Sequence, residues 1–124
     1  MIIFSATTSN GQSANIKTIL IGTWKFDKFE FVGDFAGLYQ KEQDNTNNMN
    51  EGNEISFTHD GKFKIVKRVN NKWTTLASGQ FKVFNDGKHF LFEGEEAEIL
   101  FIDNISIKFT MPDRPIMVLT KIKS

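Results

Sequence analysis

Cysteine is absent from the 124 residues. Disulfides, thiolate metal sites, a cysteine nucleophile and a lipid-modified cysteine are therefore excluded within this chain. Neither sign of charge is in excess, because 15 basic and 15 acidic residues cancel. This balance argues against a nucleic-acid or anionic-membrane surface. No apolar run approaches the roughly 20 residues of a membrane-spanning helix, so we expect one non-transmembrane domain with a substantial core.

The first 14 residues stand apart from the rest of the chain. An apolar start over residues 1–6 is followed by small and polar residues up to residue 14. A secretory signal needs a basic head and an apolar stretch of about 7–15 residues. Two interpretations remain: residues 1–14 are the remnant of a longer signal peptide of a periplasmic or secreted protein, or a disordered tail of a cytoplasmic one. The folded domain is predicted over residues 15–124.

Short alternating segments separated by tight turns fill that domain. The Asp-Gly and Asn-Asn pairs at 60–61, 70–71 and 86–87 tolerate positive φ where the alternation stops and restarts. Connections of hairpin length make successive strands antiparallel neighbours, and closure of the sheet would remove its edges. The predicted fold is all-β: a single antiparallel up-and-down β-barrel of about eight strands. The candidate strands are Thr23–Phe31, Phe35–Gln40, Glu54–His59, Lys62–Val69, Lys72–Phe84, His89–Glu93, Ala97–Asp103, Ile105–Met111 and Ile116–Ile122.

Two stretches depart from the alternation. The apolar side chains of the first strand switch parity between Phe26 and Phe29, which predicts a β-bulge or bend near Asp27 and Lys28. Residues 41–53 are rich in asparagine and have no apolar period. A segment of this kind between two strands is expected to be a loop, either disordered or acting as a mobile flap over a site.

A short helical turn is predicted ahead of the first strand. Ile16, Ile19 and Leu20 have the i, i+3, i+4 spacing of one helix face. Directly after it, Gly22 and Trp24 form a Gly-x-Trp motif at the entry to the strand.

Together with the stretch Ile55–Phe63 and the later Trp73, this motif resembles the lipocalin-like domains of small bacterial proteins. The resemblance covers residues 16–123 and implies a barrel whose tryptophan packs across the closed end and whose interior can hold a ligand. The chain is shorter than a typical lipocalin and lacks the disulfides that many lipocalins carry. Where true lipocalins place an arginine over the tryptophan, it offers Lys121 and Lys123, which can still make a cation–π contact.

Whether the barrel is filled or hollow decides its function, because eight strands leave room for packed side chains or for one small ligand. The chain has 13 phenylalanines that could fill the interior. Small residues at the centre of the longest strand, Thr75, Ala77 and Gly79, would leave space, although glycine in a strand also marks close backbone approach. Lys67 interrupts an apolar row. It could anchor an anionic head group, or lie at the rim and reach water or an acidic partner.

Catalysis is not expected, because nucleophile motifs, metal-ligand constellations and phosphate-cradling glycine loops are missing from the sequence. The acidic run Glu93–Glu98 matches no calcium-loop spacing and indicates a solvated turn. We predict a small binding protein, without metal or cofactor, for an apolar or anionic amphipathic ligand. The alternative is a filled barrel that acts as a protein–protein interaction or inhibitor module, with its partner left open. The predicted ligand-contacting residues are Phe31, Tyr39, Phe57, Phe63, Lys67, Trp73 and Phe109.

Overall fold

Nine antiparallel strands form one sheet that curls into a nearly closed barrel. This architecture is seen in a computed structural model that describes residues 16–33, 36–37 and 40–123. The all-β barrel prediction is confirmed. A helical segment, α1, covers residues 16–20, and a helix, α2, spans Gln40–Asn50. The strands are β1 (Gly22–Glu30), β2 (Asn53–Phe57), β3 (Lys62–Val69), β4 (Lys72–Gln80), β5 (Lys82–Val83), β6 (His89–Phe92), β7 (Glu95–Ile102), β8 (Ser106–Thr110) and β9 (Ile116–Lys123).

The sheet is closed by its first and last strands, since β1 pairs with both β2 and β9. The strand order is β4-β3-β2-β1-β9-β8-β7-β6-β5, so β4 and β5 form the two edges. Phe81 lies between them, and its backbone N–H donates to the Gly61 carbonyl at 2.9 Å. The predicted strand Lys72–Phe84 is therefore broken at Phe81, whose side chain is buried. The barrel keeps an open seam at this point, instead of the full closure expected from the turns.

The predicted bulge in β1 is confirmed. Phe26 pairs with Leu119 of β9, but the next paired residue is Lys28, so Asp27 is the extra residue. The insertion restores both Phe26 and Phe29 to the interior, where their ring centroids lie 5.1 Å apart.

Trp24 lies across one end of the barrel, at the start of β1. Its side chain is completely buried, and its indole Nε1 donates to the Leu20 carbonyl of α1 at 2.9 Å. The ammonium of Lys121 sits 5.0 Å from the centroid of the indole and also donates to the Ile19 carbonyl. Burial lowers the pKa of Lys121. A lysine therefore occupies the place expected for it above the tryptophan, and it joins α1 to the last strand. We call this end the floor.

Above the floor, the interior is filled with aromatic rings. Six phenylalanines form a chain of ring contacts with centroid separations from 4.7 to 6.3 Å. A Cβ added at Gly79 would lie 3.0 Å from the ring of Phe63, so this glycine permits a close approach of ring to backbone. The members of this phenylalanine cluster are Phe57, Phe63, Phe81, Phe90, Phe92 and Phe109.

The loop predicted over residues 41–53 is wrong, because most of it is helix α2. None of its side chains is fully buried, so the helix carries no apolar stripe that a periodicity argument could detect. Gly52, with φ of +84°, reverses the chain before β2 begins. The strand predicted over residues 35–40 is also wrong, since residues 36–37 form a turn and Gln40 begins the helix. The tail predicted over residues 1–14 lies outside the described residues.

Candidate functional site

A pocket of about 280 Å³ lies toward the end of the barrel away from Trp24 and extends inward as far as Ile55, the partner of Trp24 in β2. This end, the mouth, is where β1 finishes and where β2, β7 and β9 begin. The mouth pocket is lined on its apolar side by Phe26, Phe29, Ile55, Ile65, Leu76, Ala77 and Met117, and on its polar side by Asn50, Asn53, Glu93 and Arg114.

Asn53 is the buried polar residue of this pocket. Residues of β2 alternate strictly between buried and half-buried, so Asn53 shares the inner face with Ile55 and Phe57. As a residue, Asn53 is 8% exposed. The Nδ2 group donates to Asn50 Oδ1 at 3.3 Å, whereas Oδ1 is buried and accepts no hydrogen bond within the described part of the chain. A buried acceptor left without a donor costs about 1–3 kcal/mol.

Helix α2 lies beside the mouth and is held by polar contacts. The Asn47 side chain accepts a hydrogen bond from the backbone N–H of Phe29 at 2.8 Å. Lys67 Nζ donates to the Met49 carbonyl at 3.0 Å. A lysine at the last turn of a helix satisfies an orphan carbonyl and complements the helix dipole. No α2 side chain is fully buried, and the helix adds no residue to the hydrophobic core.

A charged cluster borders the pocket where two turns meet. Arg114, in the turn between β8 and β9, places Nη2 at 3.2 Å from Glu95 Oε2 and Nη1 at 4.0 Å from Glu93 Oε1. The contact to Glu95 is an ion pair and not an aligned hydrogen bond, since this buried oxygen has no hydrogen-bond partner among the described residues. Two carboxylates facing one guanidinium leave the cluster with one excess negative charge.

Glu93 holds an uncommon backbone conformation at this edge. It and Gly94 form a tight turn with φ of +54° and +77°. Turns of this kind favour asparagine, aspartate or glycine at both positions, and a glutamate there carries strain. A carboxylate is thus held at the mouth in spite of the preference of the turn.

Elsewhere, His89 and Asp86 form a pair in the turn between β5 and β6. Their Nδ1 and Oδ2 atoms lie 2.6 Å apart. This contact raises the pKa of His89, while backbone N–H donors and His89 lower the pKa of Asp86. Within residues 16–33, 36–37 and 40–123, no three histidine or acidic side chains converge in an arrangement that could hold a metal ion.

Three of the predicted ligand-contacting residues lie in the packed interior. Phe57, Phe63 and Phe109 belong to the phenylalanine cluster, where their rings contact other rings, and none of the three lines the mouth pocket. Phe63 does line a more open surface pocket of about 540 Å³ beside Gly79. Phe31 follows β1, with its ring 6.3 Å from that of Phe29. Tyr39 lies outside the described residues.

The other two predicted contacts lie at the rim. Lys67 is on the inner face, as the alternation indicated, but its ammonium reaches the C-terminal end of α2. Trp73 is 52% exposed, with the guanidinium of Arg68 5.8 Å from its ring centroid. None of the described residues in the predicted set lines the mouth pocket.

Sequence reasoning missed the residues that do line it. Asn53 carried a usable signal, because the alternation of β2 places it on the same face as Ile55. Arg114 and Glu93 carried none, because they lie in different hairpins and meet only after the barrel has formed.

No protein-family model matches this chain, and no curated protein matches it either. The resemblance to lipocalin-like domains therefore rests on Gly22, Trp24 and the meandering strands, and it stays a prediction. Among the described residues, none of the helices has the length and apolar character needed to cross a membrane.

Proposed function

We propose that this protein binds a small apolar or amphipathic molecule in the mouth pocket. Its main support is a contrast within one barrel. Much of the interior is filled by phenylalanine rings, whereas the mouth keeps an apolar-lined space of about 280 Å³, whose lining includes Asn53 with its buried acceptor Oδ1. A concave, mostly apolar space with a few polar groups is the usual form of a ligand site.

The volume limits the size of the ligand. At about 30 Å³ per water molecule, the pocket corresponds to roughly nine waters, and hence to a ligand of about ten non-hydrogen atoms. A larger molecule would extend out of the pocket, which is partly open to solvent. The proposed ligand is therefore a short-chain amphipath and not a long-chain lipid enclosed whole.

A pocket-filling variant tests the proposal. Ala77 lines the mouth pocket, while Ser78 follows it on the exposed side of β4. We expect octan-1-ol, with nine non-hydrogen atoms, to bind the wild-type protein in isothermal titration calorimetry. Ala77→Leu should weaken this binding at least tenfold, and Ser78→Leu should leave it within twofold. Equal binding by all three proteins, or no binding by the wild type, contradicts the proposal.

One observation favours the alternative of an interaction module. Strand β4 pairs only with β3, and almost all of its residues are exposed. Between Lys72 and Gln80 it carries no charge, so it lacks the residues that usually protect an edge strand from pairing. An extended segment of a second chain could pair there. A molecular mass in light scattering that rises with concentration, and falls to the monomer mass on Thr74→Pro, would favour this alternative.

A further inference from the structure

We infer that the ligand of the mouth pocket presents a hydrogen-bond donor, from a hydroxyl or an ammonium group, to Asn53 Oδ1. This inference rests on the proposed function and adds the chemical class of the ligand. It reverses the anionic head group that Lys67 suggested in the sequence.

The unmet hydrogen bond of Asn53 requires a donor on the ligand. Asn53 uses Nδ2 as a donor to Asn50, so the atom left without a partner is the carbonyl oxygen. Oδ1 can only accept. A hydroxyl, ammonium or amide N–H satisfies it, whereas a carboxylate would place a second acceptor against it.

The charge around the pocket disfavours an anionic head group. Arg114 already faces both Glu93 and Glu95, so an incoming carboxylate must compete with two carboxylates for one guanidinium. Lys67 is not among the lining residues, and its ammonium donates to the Met49 carbonyl. The excess negative charge of the cluster instead favours a neutral or a cationic head group.

The apolar and polar residues of the pocket also match a ligand with an apolar body and a polar head group. Asn53 begins β2 directly below the C-terminal end of α2, with Phe29, Ile55 and Ile65 among the apolar residues of the same pocket. A ligand with its chain along these side chains can thus present its head group to the polar side. An apolar body with a terminal donor fits this distribution.

A set of matched probes tests the inference with the full chain. Octan-1-ol and 1-methoxyheptane have the same number of non-hydrogen atoms, but only the alcohol donates a hydrogen bond. We expect the alcohol to bind about tenfold more tightly than the ether. Octylammonium should bind at least as tightly as the alcohol, and octanoate at least tenfold more weakly. These affinities are measured by calorimetry, and the site is located by the methyl resonances of Ile55, Ile65 and Met117.

Two variants assign the preference to Asn53. In Asn53→Leu the alcohol and the ether should bind within twofold of each other. Asn53→Asp keeps an acceptor and adds a charge, so it should retain the preference for the alcohol and increase that for octylammonium. This second variant keeps the test decisive if the leucine variant does not fold.

The experiment distinguishes failure of the head-group inference from failure of the proposed binding function. If alcohol and ether shift the methyl resonances at the mouth with equal affinity, or if octanoate binds most tightly, the inference about the head group is overturned while the binding function stands. If none of the four probes shifts those resonances, the binding function itself is overturned.

Discussion

The two tryptophans stand at opposite ends of the barrel and illustrate how differently those ends are built. Trp24 at the floor is completely buried and hydrogen-bonded to Leu20 of α1. Trp73 at the mouth is half exposed and lies beneath Arg68 on an edge of the sheet. The floor is tied together by packing, whereas the mouth is finished by polar contacts around a space. We therefore expect the floor to contribute more to the stability of the domain, and the mouth to adjust more readily to a ligand.

Each end also carries a helical segment held by a lysine. At the floor, Lys121 donates to Ile19 of α1 and covers the buried indole. At the mouth, Lys67 donates to Met49 of α2, a helix without a fully buried side chain. A lysine that donates to a helix carbonyl therefore occurs at both ends. At the floor the helical segment contributes the buried Leu20, whereas α2 at the mouth contributes no fully buried side chain.

The largest expected effect comes from truncating each tryptophan. Trp24→Ala should lower the free energy of unfolding by about 3–5 kcal/mol, since it removes a fully buried ring that the surrounding structure cannot replace. Trp73→Ala should cost less than about 1 kcal/mol, mainly the cation–π contact with Arg68. Urea denaturation followed by circular dichroism measures both. Similar losses in the two variants would show that the ends do not differ as described.

A smaller effect is expected from replacing each lysine with methionine, which keeps most of the apolar stem. Lys121→Met should lower the free energy of unfolding of the whole domain by about 1 kcal/mol, because it leaves a carbonyl of α1 without its donor. Lys67→Met should change the global value by no more than about 0.5 kcal/mol.

The difference between these two lysine variants should be clearest in amide hydrogen exchange. Lys67→Met should speed exchange across α2 and leave the phenylalanine cluster protected. Lys121→Met should speed exchange throughout the barrel, in proportion to its global destabilisation. Uniformly faster exchange in both variants would contradict the local role assigned to Lys67.

The strands could be predicted because their burial follows a period of two. In β8, the alternation correctly places Ile107 and Phe109 inside. The bulge at Asp27 was also visible, since a change of parity within one strand requires an extra residue. Ile105, the first residue of the predicted strand Ile105–Met111, is 67% exposed, because it lies in the turn before β8, where alternation no longer assigns a face.

The mouth could not be predicted in the same way. Helix α2 is stabilised by contacts such as that between Asn47 and Phe29, which join residues distant in sequence and leave no apolar period. Similarly, the distribution of small residues in β4 indicated space inside, but a glycine there serves the close approach of Phe63. The alternation of apolar and polar residues predicts which side chains face inward. Where these side chains leave a pocket is seen only in the folded barrel.

The most direct test of the account is a titration of the methyl-labelled protein with octan-1-ol, followed by ¹³C–¹H correlation spectra. We expect saturable shifts at the mouth, for Ile55, Ile65 and Met117, with Ile19 and Leu20 at the floor unchanged. Shifts centred on the floor residues, or saturation without any shift at the mouth, would contradict it.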